Sequence, residues 1–148
     1  MAFFLLQVEN RIKVSTQEVL NIERTTRQQS GSRTWFDERQ WRLTASRFGE
    51  ICKATERRDM DALCSSIFYP SKLSTPPIVH GKTYEKVALE KLAALYDTKI
   101  TECGLYISVQ MPYLAGSPDA RIFYKNRRYL CEVKCPYTSR NEKIQPGK

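Results

Sequence analysis

The first part of the chain alternates short amphipathic segments with polar breaks, a pattern typical of helices joined by loops. The residues at 15–18, Ser-Thr-Gln-Glu, fit a capping box and predict a helix from Thr16 to about Gln28. Two further helices are predicted, at Ala45–Ala54 with Thr44 as its N-cap, and at Asp59–Phe68 before a loop. In the first of these, the side chains expected to face the core are Phe48, Ile51 and Cys52.

The second part of the chain changes its hydrophobic period. The clearest helix is predicted at Lys82–Tyr96, where six side chains form one apolar arc at 100° per residue. After this helix the period falls to two, which indicates strands, and we predict an antiparallel meander of three. The order of elements predicts an α+β fold. The arc comprises Tyr84, Val87, Ala88, Leu92, Leu95 and Tyr96, and the strands are Ile100–Ser108, Tyr113–Tyr124 and Arg128–Lys134.

The charge balance narrows the range of partners. The 148-residue chain has 24 basic and 16 acidic side chains, a formal net charge of +8. Residues 121–148 alone hold eight basic and two acidic side chains. Such a concentrated positive segment favours a polyanion, nucleic acid first and an anionic membrane second, with a simple solvated surface as the alternative.

Several classes of protein are disfavoured by composition. No apolar run approaches the 18 residues of a membrane span, so no membrane role is expected. The apolar residues 1–8 predict the start of a buried strand or helix rather than a secretion signal, which implies an intracellular protein, in the nucleus or the cytoplasm. Five cysteines favour buried reduced thiols over disulfides, and a lone histidine, His80, argues against a zinc site.

The first candidate site residues lie on the last predicted strand and at the start of the strand before it. Alternation places Glu132 and Lys134 on one face, where such a pair is ordinarily an exposed ion pair. Asp119 precedes the neighbouring strand, and a hairpin turn at 125–126 would bring it opposite residues 133–134. Two carboxylates in one neighbourhood suit a hard cation such as Mg²⁺. A lysine beside them can orient or deprotonate water, or stabilise phosphate charge.

Glu85 is a third candidate carboxylate. Helical spacing places it between Leu92 and Tyr96, with the core face of the long helix. A buried carboxylate needs a metal, a partner or a cavity. Lys91 lies in the same arc, but its longer stem can reach solvent. Helical spacing alone is therefore equally compatible with a structural and with a functional role for Glu85.

Four segments, in order, resemble the PD-(D/E)XK nuclease superfamily and, more narrowly, the YqaJ-like viral recombinase and phage lambda exonuclease family. The resemblance implies a restriction-endonuclease-like core in a domain at 35–148, preceded by a helical extension at 1–34. In the family a glutamine-bearing helix and more strands follow, whereas here Gln145 follows no helical pattern, so the C-terminal part of the core is expected to be missing. The four segments are Trp35–Arg39 with Thr44–Ser46, Gly81–Glu85, Gly116–Asp119 and Glu132–Arg140.

The resemblance also implies roles for particular residues. Asp119, Glu132 and the backbone carbonyl of Val133 would bind Mg²⁺, for which Mn²⁺ can substitute. Lys134 would assist the attacking water, and Glu85 would hold a second metal ion through water.

Two residues of the N-terminal segment would bind DNA rather than metal. Arg39 and Ser46 would hold the 5′ phosphate of the digested strand. Arginine contacts phosphate in bidentate fashion, and the N-terminus of a helix is a natural anion site.

The function that the resemblance implies is metal-dependent hydrolysis of DNA, as a 5′→3′ exonuclease on double-stranded ends in recombination or viral-type DNA processing. One alternative is a structure-specific endonuclease with the same metal site. Another is a non-catalytic DNA-binding remnant, which the missing glutamine helix favours. The implied partners are double-stranded DNA ends, further copies of the chain in a ring and a single-strand annealing protein.

Overall fold

The computed structural model describes residues 8–70 and 74–142. They form two compact units, residues 8–70 with 102–118 and residues 74–101 with 119–142. The mixture of helices and small sheets confirms the α+β prediction. The predictions for residues 1–7 and for Gln145 lie outside the described residues. The helices are α1 (Thr16–Thr25), α2 (Arg33–Gln40), α3 (Ala45–Cys52), α4 (Met60–Phe68) and α5 (Pro76–Tyr96). The strands are β1 (Leu43–Thr44), β2 (Thr101–Glu102), β3 (Tyr106–Ile107), β4 (Leu114–Gly116), β5 (Ala120–Tyr124) and β6 (Arg127–Cys131).

Helix α1 begins with the predicted capping box. The Ser15 hydroxyl accepts a hydrogen bond from Glu18 N, and the Glu18 carboxylate accepts one from Ser15 N at 2.7 Å. The helix ends at Thr25, three residues before the predicted end. The reason is a long-range contact, because the buried hydroxyl of Thr26 accepts a hydrogen bond from Leu105 N at 2.8 Å.

Gly104 allows this close approach. A Cβ at this position would lie 1.9 Å from the carbonyl oxygen of Glu23, so only glycine fits. The Gly104 N–H also donates to the Glu23 carboxylate at 3.2 Å. The contact fixes the segment before β3 against α1.

The sheet of the first unit pairs β4 with β1 in parallel and with β3 in antiparallel fashion. Arg42, which directly precedes β1 and is 2% exposed, connects this sheet to neighbouring segments through its side chain. Its guanidinium pairs with Glu38 at 2.5 Å and donates to the carbonyl oxygens of Pro112 and Ile12. Burial lowers the pKa of Arg42, and the Glu38 charge opposes that shift.

Helices α3 and α4 begin close to where the sequence predicts. The Asp59 carboxylate accepts a hydrogen bond from Ala62 N at 2.9 Å and caps α4. The inward orientation predicted for three side chains of α3 is wrong, because Phe48 and Cys52 are exposed and Ile51 is only half-buried. Phe48 lines an open depression of about 290 Å³ on the sheet instead of filling a core.

Helix α5 of the second unit begins at Pro76, six residues before the predicted start. Its first two residues are prolines, which the first turn of a helix accepts because its N–H groups have no helical partner. The predicted apolar arc is wrong in part. Leu89 is the buried residue of the helix, and Glu85, Ala88 and Leu92 are half-buried. Four members of the arc are exposed, namely Tyr84, Val87, Leu95 and Tyr96.

The predicted meander of three long strands is wrong, because the region forms the five short strands β2–β6. The first predicted strand is interrupted at 103–105, where the backbone bonds to α1, and the second at 117–119. Strands β5 and β6 form an antiparallel hairpin. Strand β6 ends at Cys131, so residues 132–134 lie beyond the ladder, although exposure still alternates along them.

The cysteines only partly follow the prediction of buried thiols. All five lie in the described ranges, and none forms a disulfide. Cys103 is buried, Cys131 and Cys135 are half-buried, and Cys52 and Cys64 are exposed. No helix within the described ranges is long and apolar enough to cross a membrane.

Candidate metal centre

The hairpin of β5 and β6 sets the geometry of the candidate site. Tyr124 pairs with Arg127 around a two-residue turn, in which Lys125 and Asn126 have φ of 48° and 59°. Ala120 pairs with Cys131 at the other end. Continuing this register places Asp119 opposite residue 132, one to two residues from the position predicted by counting from a turn centre at 126. The turn centre in fact lies between its two residues, which shifts the partner expected for Asp119 from residue 133 to residue 132.

Hydrogen bonds hold Asp119 in this position. Its N–H donates to the Cys131 carbonyl at 3.1 Å, and its Oδ2 accepts the Val133 N–H at 2.5 Å. The resemblance concerned the Val133 carbonyl and gave no role to this N–H. Extending the hairpin register by one pair places Asp119 opposite residue 132, next to Val133, and could have indicated this contact.

The charges of four predicted residues act on one another within the second unit. Burial raises the pKa of Glu85 above its ordinary value, and the negative charges of Asp119 and Glu132 raise it further. Burial also raises the pKa of Asp119, and the Val133 hydrogen bond opposes that shift. The structure therefore brings Glu85, Asp119, Glu132 and Lys134 into one electrostatic neighbourhood.

Lys134 and Glu132 form an ion pair at the surface. The Lys134 ammonium donates to Glu132 Oε1, and the two side chains are 78% and 58% exposed. This hydrogen bond raises the pKa of Lys134, so the side chain stays protonated at neutral pH. An exposed pair of this kind contributes little to stability.

The donor chemistry of this neighbourhood fits a hard divalent cation. Carboxylate oxygens are the ligands that Mg²⁺ and Mn²⁺ prefer, and Mg²⁺ needs few of them because it keeps several waters. The mutual repulsion of Glu85, Asp119 and Glu132 is what a cation would relieve. Within residues 8–70 and 74–142, no three acidic, histidine or cysteine side chains form a complete ligand cluster, and Glu132 pairs with Lys134 instead.

The two predicted phosphate-binding residues lie together in the first unit. Arg39 Nη2 donates to the Ser46 hydroxyl at 3.5 Å, and Ser46 is the second residue of α3. The Arg39 guanidinium lies 4.0 Å from the ring centroid of Trp35, and burial lowers its pKa. Arg39 and Trp35 also line a pocket of about 520 Å³ together with Phe68 and Tyr69, whereas Ser46 does not. The guanidinium of Arg39 is the group here that could bind an anion.

Two further residues of the first unit hold the segment that precedes Asp119. The Trp35 indole donates to the Ser117 hydroxyl at 2.9 Å, and the Gln29 amide donates to the Pro118 carbonyl at 2.9 Å. Sequence reasoning missed Gln29, which lies in a polar break between helices. Its positive φ of 44° is visible only in the structure.

Two crystal structures are similar to this chain in fold. A crystal structure of LHK-Exo in complex with dAMP is 26% identical with a TM-score of 0.58. A second, of an alkaline exonuclease (LHK-Exo) from Laribacter hongkongensis, is 24% identical with a TM-score of 0.57. Each match covers 78% of this chain, which spans 62% of the length of the other. No curated protein sequence gives a match.

The family model of the YqaJ-like viral recombinase domain matches residues 34–148, most of the chain. The α+β fold class predicted from the sequence and the resemblance to the YqaJ-like viral recombinase family are both confirmed. The chain belongs to the family of YqaJ-like viral recombinase domains.

Proposed function

We propose that this chain is a metal-dependent DNA nuclease domain that acts as a 5′→3′ exonuclease on double-stranded ends. The observation that supports the proposal is the hairpin register, which brings Asp119 next to the Glu132-Val133-Lys134 segment. Glu85 adds a third negative charge. The similar LHK-Exo is an alkaline exonuclease whose complex holds dAMP, a DNA mononucleotide.

Each residue of the site has a chemical task in this proposal. A bound Mg²⁺ or Mn²⁺ supplies Lewis-acid stabilisation of phosphate charge and a more acidic water. Asp119, Glu132 and the Val133 carbonyl would hold it, and the Val133 N–H fixes the orientation of the Asp119 carboxylate. Glu85 would act on a second ion through water. Lys134, which stays protonated, would position the attacking water and offset the negative charge of the phosphate.

DNA recognition would depend mainly on phosphate contacts. Arg39 and Ser46 would hold the 5′ phosphate, and the arginines of the hairpin would contact the backbone. Such contacts carry no sequence information, so digestion would not depend on sequence. From family membership we also propose a nuclease domain at 35–148, a ring-shaped homo-oligomer, a single-strand annealing partner and an intracellular location.

The test is digestion of a linear duplex in Mg²⁺ and in EDTA, with the label at the 5′ or the 3′ end. We expect digestion only with the metal, and loss of it in Glu132→Gln. Glu142→Gln removes an exposed carboxylate from the same unit and is the matched control. Full digestion in EDTA, or an active Glu132→Gln, would contradict the metal site.

The same assay separates the alternatives. Cleavage of a closed circle would favour the endonuclease. Binding of DNA without cleavage in Mg²⁺ or Mn²⁺ would favour the non-catalytic remnant.

A further inference from the structure

Three aromatic rings meet where α5 packs against the 3₁₀ turn at Tyr137–Ser139. The His80 ring centroid lies 4.5 Å from that of Tyr84, one helical turn later, and 5.5 Å from that of Tyr137. The Arg140 guanidinium covers the Tyr137 ring at 4.1 Å. Tyr84 is nevertheless 49% exposed, so the cluster supports this ring without burying it.

The ring cluster and the candidate metal centre are built on the same two segments of the second unit. Tyr84 is followed directly by Glu85 on α5, and Tyr137 lies three residues after Lys134. The packing of α5 against the turn, seen in the contact of His80 with Tyr137, holds the two segments together, and the charge of Glu85 also acts on Lys134. A DNA strand with its phosphate at the metal centre would therefore contact the two segments that carry these rings.

The charge around the rings suits a polyanion. Lys82 lies one turn from the site on α5 and acts on Glu85, and Arg140 lies at the other end of the cluster. An exposed tyrosine ring next to cationic side chains is the combination by which proteins bind unpaired DNA bases without sequence preference. Contacts with His80 hold the Tyr84 ring in place, which reduces the entropy lost on stacking.

We infer that Tyr84, supported by His80 and Tyr137, is a stacking platform for an unpaired DNA base next to the phosphate at the metal centre. This inference depends on the proposed nuclease function. It adds a binding contact for one face of a base, which none of the metal or phosphate residues supplies.

The test uses a single-stranded oligonucleotide containing 2-aminopurine, whose fluorescence falls when it stacks. It is bound in Mg²⁺ to the Glu132→Gln protein, which keeps the strand intact. We expect Tyr84→Ala to abolish the quenching and to raise Kd about tenfold. Tyr84→Phe keeps the ring and should retain both. Tyr96→Ala removes a tyrosine from the same helix, 40% exposed and packed on Tyr124, and should change neither.

Unchanged quenching in Tyr84→Ala would overturn the inference, as would a parent protein that binds without quenching. Equal loss in Tyr84→Phe would assign the effect to the hydroxyl and would also overturn stacking. If Tyr84→Ala does not fold, Tyr84→Leu keeps the apolar bulk without the ring and gives the same comparison. Cleavage of duplex by the wild-type protein is measured separately, so failure of the nuclease proposal would be recognised independently.

Discussion

Two substitutions of Asp119 distinguish the two roles of its carboxylate, which accepts a hydrogen bond and carries a negative charge. Oδ2 accepts the Val133 N–H at 2.5 Å, while the charge repels Glu132 and Glu85. Asparagine keeps an acceptor oxygen and removes the charge, whereas alanine removes both. A hydrogen bond to a charged group contributes about 1.5–3 kcal/mol, and the half-burial of Asp119 favours the lower end. Both substitutions relieve the repulsion, so we expect Asp119→Ala to be about 1.5 kcal/mol less stable than Asp119→Asn, with a Tm roughly 5 °C lower.

For Asp119→Asn we expect a Tm within about 2 °C of the wild type, because relief of repulsion offsets the weaker hydrogen bond. Both variants should lose metal-dependent digestion. The measurements are thermal melting by circular dichroism in EDTA and digestion of an end-labelled duplex in Mg²⁺. Equal destabilisation by the two substitutions would refute the structural task. Digestion by Asp119→Asn would refute the metal-binding task.

Three further outcomes are expected. Gly104→Ala places a Cβ 1.9 Å from the Glu23 carbonyl oxygen, so it should lower the free energy of unfolding, measured in urea, by about 3 kcal/mol. A urea midpoint equal to that of the wild type would contradict the close approach. The folded-state pKa of Glu85 is raised, so its ionisation destabilises the metal-free fold as pH rises from about 4.5. Glu85→Gln should therefore flatten the fall in Tm above that pH, and an unchanged slope would contradict this. Arg39→Ala should slow digestion of 5′-phosphorylated ends roughly tenfold to a hundredfold and leave 5′-hydroxyl ends unaffected. Arg33→Ala, on the same helix and 94% exposed, is the control, and equal effects on both kinds of end would remove Arg39 from the phosphate site.

Elements whose limits depend on local chemistry were predictable from the sequence. The capping box at Ser15 and the cap at Asp59 each involve residues three apart, and both helices begin where these signals lie. The end of α1 was not predictable, because it depends on a contact between Thr26 and a residue 79 positions away. The start of α5 was missed because Pro76 is equally typical of a loop and of a first helical turn.

The candidate site shows the same division. Alternation around Glu132 predicted correctly which of its neighbours are exposed, because period two follows from extended backbone alone. The pairing of Asp119 was off by one to two residues, since the turn type was not known. The buried face of α5 was misplaced, because its two flanking tyrosines are apolar enough to suggest a core yet lie outside it. The pairing of Arg39 with a serine on another helix came from the resemblance, since no local rule joins them.

The two-residue turn at Lys125–Asn126 determines which residues of the two strands lie opposite each other, and so places Asp119 opposite Glu132. Asp119 and Glu132 lie the same number of residues from the turn, one on each strand. They therefore stay opposite each other only when both strands lengthen by the same number of residues. One extra residue in one strand would slide every pair beyond it and turn Asp119 to the opposite face of the hairpin. Insertions in this region of related chains should therefore come in matched pairs, or lie in the turn itself.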